Sequence, residues 1–393
     1  MPAGRAVPLV GLVLVVFVAA VVGQAPTTGA DPTVTAFPGP AGPMTLASDD
    51  AVWLVMSSPV GDGGTAHRFA LDGATVHAVN PPEQQMAAIE ITPGVDGAVW
   101  IGLSGFRTRD DHQVHRGFAR ITPDEATTYE VFPPLDTPSA RLFALTTGPD
   151  GALWWFESDE ELNSLGEVRL VTADPATPLD TTTYVLPPGS DPVDLVTGPD
   201  GALWFTDSGR GVISRVTVDG QRTDWAIPTP DASPGSIAVG PDGALWFAER
   251  KASKLGRITT SGEVTECPAD PILDAPGEVS LGADGALWVM AGRPTVHLVR
   301  VEPSCAASRL DLSLRQSQGW RSLAWSTPGP RGTLWFSVFN GTVIRLDYDA
   351  WVGRVQLDVP PPTTTTTTST STTAPPDPST AADAVVAAPR FTG

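Results

Sequence analysis

Gly198-Pro199-Asp200-Gly201-Ala202-Leu203-Trp204-Phe205 is the clearest copy of a phrase that recurs along this chain, and its recurrence decides the fold. Further copies run from Gly148 to Phe156, Gly240 to Phe247, Gly282 to Val289 and Gly329 to Phe336. Weaker ones read Gly94-Val95-Asp96-Gly97-Ala98-Val99-Trp100 and Ser48-Asp49-Asp50-Ala51-Val52-Trp53. Their anchors are Trp53, Trp100, Trp154, Trp204, Trp246, Trp288 and Trp335, spaced 42 to 54 residues apart. Self-similarity at such a period marks a solenoid, a propeller or an array.

The unit from 234 to 268 shows what each repeat builds. Ser236 to Val239 alternates like a half-buried strand, and Asp242-Gly243 supplies the backbone of a tight hairpin. Ala244 to Ala248 reads as a second strand, apolar enough to be covered on both faces. Leu255 to Thr259 reads as a third, Ser261-Gly262 as a turn, and Glu263 to Cys267 as a fourth. No stretch of ten residues carries a helical apolar period. The expectation is an all-β chain, a seven-bladed β-propeller with four antiparallel strands per blade.

Arg68, Arg120, Arg169, Arg215, Arg257, Arg300 and Arg345 fall once per repeat, on the inferred third strands. A structural role is expected for them, each pairing with a carboxylate or with carbonyls between blades. The tryptophans read as apolar wedges between neighbouring blades, each N–H finding a partner. Thr33 to Phe37 reads as a strand that completes the last blade and closes the ring. Val352 to Val359 is the competing fourth strand.

The propeller is placed at residues 32–359. Residues 1–31 hold Arg5 and then an uncharged apolar run from Ala6 to Gly23, a signal peptide or signal anchor with a short linker. Residues 360–393 are rich in Thr, Pro and Ala, the composition of a disordered stalk, ending in Pro389-Arg390-Phe391-Thr392-Gly393. A secreted or cell-surface location follows, with membrane contact only through an N-terminal anchor. The net charge of −20 argues against nucleic acid, which needs basic patches. A monomer is expected. The only cysteines are Cys267 and Cys305. The strand assignment puts Cys267 late on a fourth strand and Cys305 in the third-to-fourth turn of the next blade. Those places lie near opposite faces of the disc, so an unbridged pair is expected, given a reach of about 7 Å between Cα atoms.

Repeats of the form Gly-Pro-Asp-Gly-Ala-Leu-Trp-Phe followed by Ile213-Ser214-Arg215-Val216-Thr217 or Leu255-Gly256-Arg257-Ile258-Thr259 resemble the streptogramin lyase (virginiamycin B lyase) family. The resemblance covers residues 32–359 and implies a seven-bladed propeller. It also implies opening of the ester of cyclic type B streptogramins by elimination, assisted by magnesium. The family's two histidines stand in Pro-His-(Ala/Gly)-Ile, with glutamates near the C-terminal blades. Here Gly277 and Arg321 occupy the histidine positions. Phe339 or a neighbour falls where a glutamate follows Trp335-Phe336. Without an imidazole the elimination lacks its proton shuttle, which typically contributes about 10²–10⁴-fold. Expected, then, is a non-catalytic binding module that needs no cofactor, its partner an extracellular protein or polymer. The alternative is a magnesium-dependent lyase with a displaced site.

The Trp-to-Arg spacing, longest in the first three repeats, points to their second-to-third-strand loops as the binding face. Candidates there are Arg107, Arg109, Asp110, Asp111, His112, Glu157, Asp159 and Glu160. Asp111, His112 and His115 form a weak candidate metal set. Glu157-Ser158-Asp159-Glu160-Glu161 reads as an acidic loop on the same face. No Gly-x-Ser-x-Gly elbow, phosphate loop or dinucleotide fingerprint occurs.

Overall fold

The computed structural model describes residues 34–357 apart from 39–42, 58–63, 71–72, 79–85, 106–115, 125, 133–139, 162–163, 293–296, 311–323 and 341–348. Among the described residues, 28 strands form four-stranded antiparallel sheets, with two short 3₁₀ turns and no α-helix.

The first sheet is β2 (Met44–Leu46), β3 (Val52–Ser57), β4 (Gly64–Ala70) and β5 (Gly73–Ala78). The second is β6 (Met86–Pro93), β7 (Val99–Gly105), β8 (Arg116–Ile121) and β9 (Thr127–Val131). The third is β10 (Ala140–Thr147), β11 (Leu153–Glu161), β12 (Ser164–Ala173) and β13 (Thr181–Val185). The fourth is β14 (Pro192–Thr197), β15 (Leu203–Asp207), β16 (Val212–Val216) and β17 (Arg222–Ala226). The fifth is β18 (Pro234–Val239), β19 (Leu245–Glu249), β20 (Lys254–Ile258) and β21 (Val264–Glu266). The sixth is β22 (Val279–Leu281), β23 (Leu287–Ala291), β24 (His297–Val301) and β25 (Ala307–Leu310). The seventh is β26 (Ala324–Gly329), β27 (Thr333–Asn340), β28 (Asp349–Gln356) and β1 (Val34–Pro38). First strands touch in chain order, and β26 meets β2, so the sheets close into a propeller.

The apolar core lies between sheets. Trp204 and Ile213 of the fourth pack with Leu245 and Phe247 of the fifth, all within 1 % of full burial. The recurrent phrase has a chemical logic. A Cβ on Gly198 or Gly240 would stand 2.3 or 2.2 Å from the indole of Trp204 or Trp246, so only glycine lets the ring lie on the turn. Gly201 and Gly243 take positive φ values of 70° and 71°, which their turns require. The intervening aspartate binds both recurrent partners. Trp246 Nε1 donates to Asp242 Oδ1 at 3.0 Å and Arg257 Nε donates to Oδ2 at 2.6 Å. Asp200 with Trp204 and Arg215, and Asp284 with Trp288 and Arg300, repeat this. These arginines therefore pair within their own sheet and not between blades, because each faces its tryptophan across the ladder, next to the turn.

Two sheets depart from the expected register. In the third, Trp154 faces Thr172, and Arg169 faces Glu157 instead. In the seventh, Trp335 faces Arg354, so Arg354 takes the place assigned to Arg345, which lies outside the described residues. The long second-to-third connections are thus those of the first, second and seventh sheets; in the third, expected to carry a long loop, only residues 162–163 join β11 to β12. Val352 to Gln356 belongs to the third strand of that sheet, not the fourth. The fourth is β1, pairing Val34 with Val355 through Pro38 with Trp351.

The cysteines are bridged, with Cα atoms 5.5 Å apart, against the unbridged expectation. The outer strands of the third, fourth and fifth sheets run beside the third-to-fourth turn of the next, so the two places meet at a boundary. One boundary earlier the same positions hold Trp225 and Gly262, where a Cβ on Gly262 would stand 2.1 Å from the Trp225 indole. Cys267, one residue past β21, is bonded to Leu255 opposite where Trp225 of β17 faces Ile213, and Cys305 takes Gly262's positive φ at 68°. A covalent bond replaces an aromatic contact. The tail, residues 360–393, forms a separate unit outside the described residues.

Candidate functional site

On each first strand, or just ahead of it for Pro43 and Glu278, the residue ten positions before the recurrent tryptophan lines the central channel. Through the seven sheets it is Pro43, Glu90, Ala144, Asp194, Ser236, Glu278 and Trp325. All of them line a single cavity of about 760 Å³. Arg250 and Gly292, beyond the ends of β19 and β23, also line it. The second, fourth and sixth sheets thus each contribute a carboxylate to one layer.

That layer is electrostatically loaded. Burial pushes the Asp194 carboxyl up, although the Ile237 and Leu195 amides donate to it at 2.9 and 2.8 Å. Burial raises Glu278 well above the carboxylate range, and the charges of Asp194 and Glu90 raise it further. Ser236 Oγ receives the Val279 amide at 3.2 Å and stands between them in the layer. Among the described residues, the one cationic side chain lining the cavity is Arg250. Its side chain lies across Gly235, where a Cβ would come within 2.6 Å of Nε. Three acids beside one guanidinium leave a cavity suited to a cationic group.

Of the residues singled out from sequence, Arg107, Arg109, Asp110, Asp111, His112 and His115 lie outside the described residues. Glu157, Asp159 and Glu160 are not in a loop. They continue β11, with Asp159 opposite Ala140 and Glu160 opposite Leu165. Glu157 is 5 % exposed and accepts from Arg116 Nε at 2.8 Å and Trp155 Nε1 at 3.1 Å, an interior link between the second and third sheets. Charge alone suggested a loop there, but Arg116 compensates the first carboxylate and lets the strand run on.

Gly277 lines the channel beside Glu278, and a Cβ there would meet only the Met290 carbonyl at 3.4 Å. Arg321 lies outside the described residues. The place of Glu249 in the seventh sheet falls to Val338, one residue before Phe339. Gly277 offers no donor, and among the described residues no three His, Cys, Asp or Glu side chains group to hold a metal.

The acid layer was missed from sequence, yet its signal is plain: a carboxylate four residues before Gly94, Gly198 and Gly282, within or at the start of an apolar strand.

The sequence profile of the virginiamycin B lyase family matches residues 74–365. A catalytically inactive virginiamycin B lyase from Staphylococcus aureus with quinupristin shares 24 % identity, 84 % of this chain and 100 % of its own, at a TM-score of 0.63. A streptogramin B lyase structure shares 23 %, covering 83 % of this chain and 98 % of that one, also at 0.63. A protein from Lactobacillus plantarum shares 17 % over 69 % of this chain and 84 % of its own, at 0.51. No curated protein matches.

Proposed function

Because the chain belongs to the virginiamycin B lyase family yet carries Gly277 at a histidine position, we propose that it is an exported, non-catalytic binding module. On this reading it is a seven-bladed propeller whose channel mouth receives a cationic group of an extracellular protein or polymer. The observation that carries this is the layer formed by Glu90, Asp194 and Glu278 in one cavity. The apolar run Ala6 to Gly23 and the Thr-rich tail support export, as does the Cys267–Cys305 bridge, since disulfides persist in oxidising compartments.

The test is calorimetric titration with a pentalysine peptide at physiological salt. The variant combining Glu90→Gln, Asp194→Asn and Glu278→Gln is expected to bind at least about tenfold more weakly, a loss of about 1.4 kcal/mol. Equal binding by both proteins sinks the channel site. Turnover is tested separately with quinupristin and magnesium. Elimination leaves the mass unchanged, so ring opening is read from chromatographic retention and fragmentation. Opened product that vanishes with chelator would overturn the non-catalytic reading in favour of a displaced lyase site.

A further inference from the structure

Glu249 ends β19 with no exposed surface, and among the described residues neither of its carboxylate oxygens accepts a hydrogen bond. Its counterparts on neighbouring sheets are better served. Glu157 receives Arg116 and the Trp155 indole, and Asp207 receives the Asp191 and Arg210 amides. Beside Glu249 stands Lys254 of β20, its ammonium 3.8 Å from Oε2. That ammonium is engaged elsewhere, donating to Glu266 Oε2 at 2.6 Å and Thr229 Oγ1 at 2.5 Å. Glu266 also accepts the Thr229 amide at 2.9 Å and its hydroxyl at 3.0 Å. Thr229 lies between β17 and β18, and Glu266 ends β21. The knot therefore ties the chain entering the fifth sheet to that sheet's outer edge.

We propose that Glu249 is a proton-operated latch: protonated, it leaves Lys254 to hold Thr229 and Glu266 together, and ionised, it draws Lys254 away and loosens the knot. The groups facing it are Lys254 from β20, Glu266 from β21 and the Thr229 hydroxyl from the link. One ammonium cannot fully serve the buried Glu249 carboxylate and the half-buried Glu266 at once, so ionisation of Glu249 forces it to be shared. Burial, and then the charge of Glu266, push the Glu249 carboxyl up to about 7, which sets the change near neutrality. The latch also adjoins the channel, since Arg250 follows directly and its amide bonds the Ser233 carbonyl at 3.3 Å. It stands whether or not the channel binds a cation.

Hydrogen exchange on the full chain, read by mass spectrometry on the peptide covering residues 227–233, tests it. Protection there, corrected for intrinsic rates, is expected to fall about tenfold between about pH 5.5 and about pH 8.5 in the wild type and to stay level in Glu249→Gln. An equal fall in both proteins overturns the latch. If the variant does not fold, the wild type alone decides. An inflection near neutrality in a pH series supports the latch, and a curve without one overturns it.

Discussion

Asp242 accepts the Trp246 indole at 3.0 Å, the Ala244 amide at 3.3 Å and Arg257 at 2.6 Å, so its loss leaves three donors without their partner. Burial works against its charge, but Trp246 and Arg257 hold the carboxyl below its usual range. Asp242→Ala is expected to cost about 1–3 kcal/mol, because the indole it serves is buried. Asp242→Asn, which keeps an acceptor for the indole, should cost less, and urea unfolding ranks the two. Recurrence made Asp, Trp and Arg legible in the sequence as a set. Which of them meet was not legible, because partnership depends on ladder register. The carboxylates of the channel layer recur only in the second, fourth and sixth repeats, and apolar alternation, the signal that marks a first strand, does not show that they face one another.

Hairpins and boundaries carry the next level of stability. The clean units in the fourth and fifth sheets were readable because their Asp-Gly turns and short connections fix the register. The third and seventh were not, since their second and third strands extend beyond the usual length and shift the residue facing each tryptophan. At the fifth-to-sixth boundary, replacing both cysteines by serine is expected to lower stability by about 2–4 kcal/mol. Thermal unfolding with and without reductant measures the same loss in the wild type. Glu249 gives the fifth sheet a pH dependence whose sign is fixed. The folded chain holds this proton more tightly than the unfolded chain, which releases it near the ordinary value of 4.5. Its contribution therefore falls as pH rises from about 4.5 to about 7 and stays low above that. At about pH 8, Glu249→Gln should be more stable than wild type by up to roughly 3 kcal/mol, with the advantage gone near pH 4. Chemical denaturation at both pH values checks it.

At the scale of the whole molecule, a single pairing of β1 with β28 completes the seventh sheet. A chain lacking residues 1–38 keeps three strands there and leaves β28 with an open edge. It should melt at lower temperature and associate with increasing concentration, as uncovered edges do. Calorimetry and size-exclusion chromatography read both effects. The pairing of Val34 with Val355 also has a consequence in time. The strand made first must wait for almost the last one to be made, so the emerging polypeptide cannot lock its ring early in synthesis. A nascent chain stopped before Asp349 should accordingly remain open to protease, however well its middle repeats have already formed.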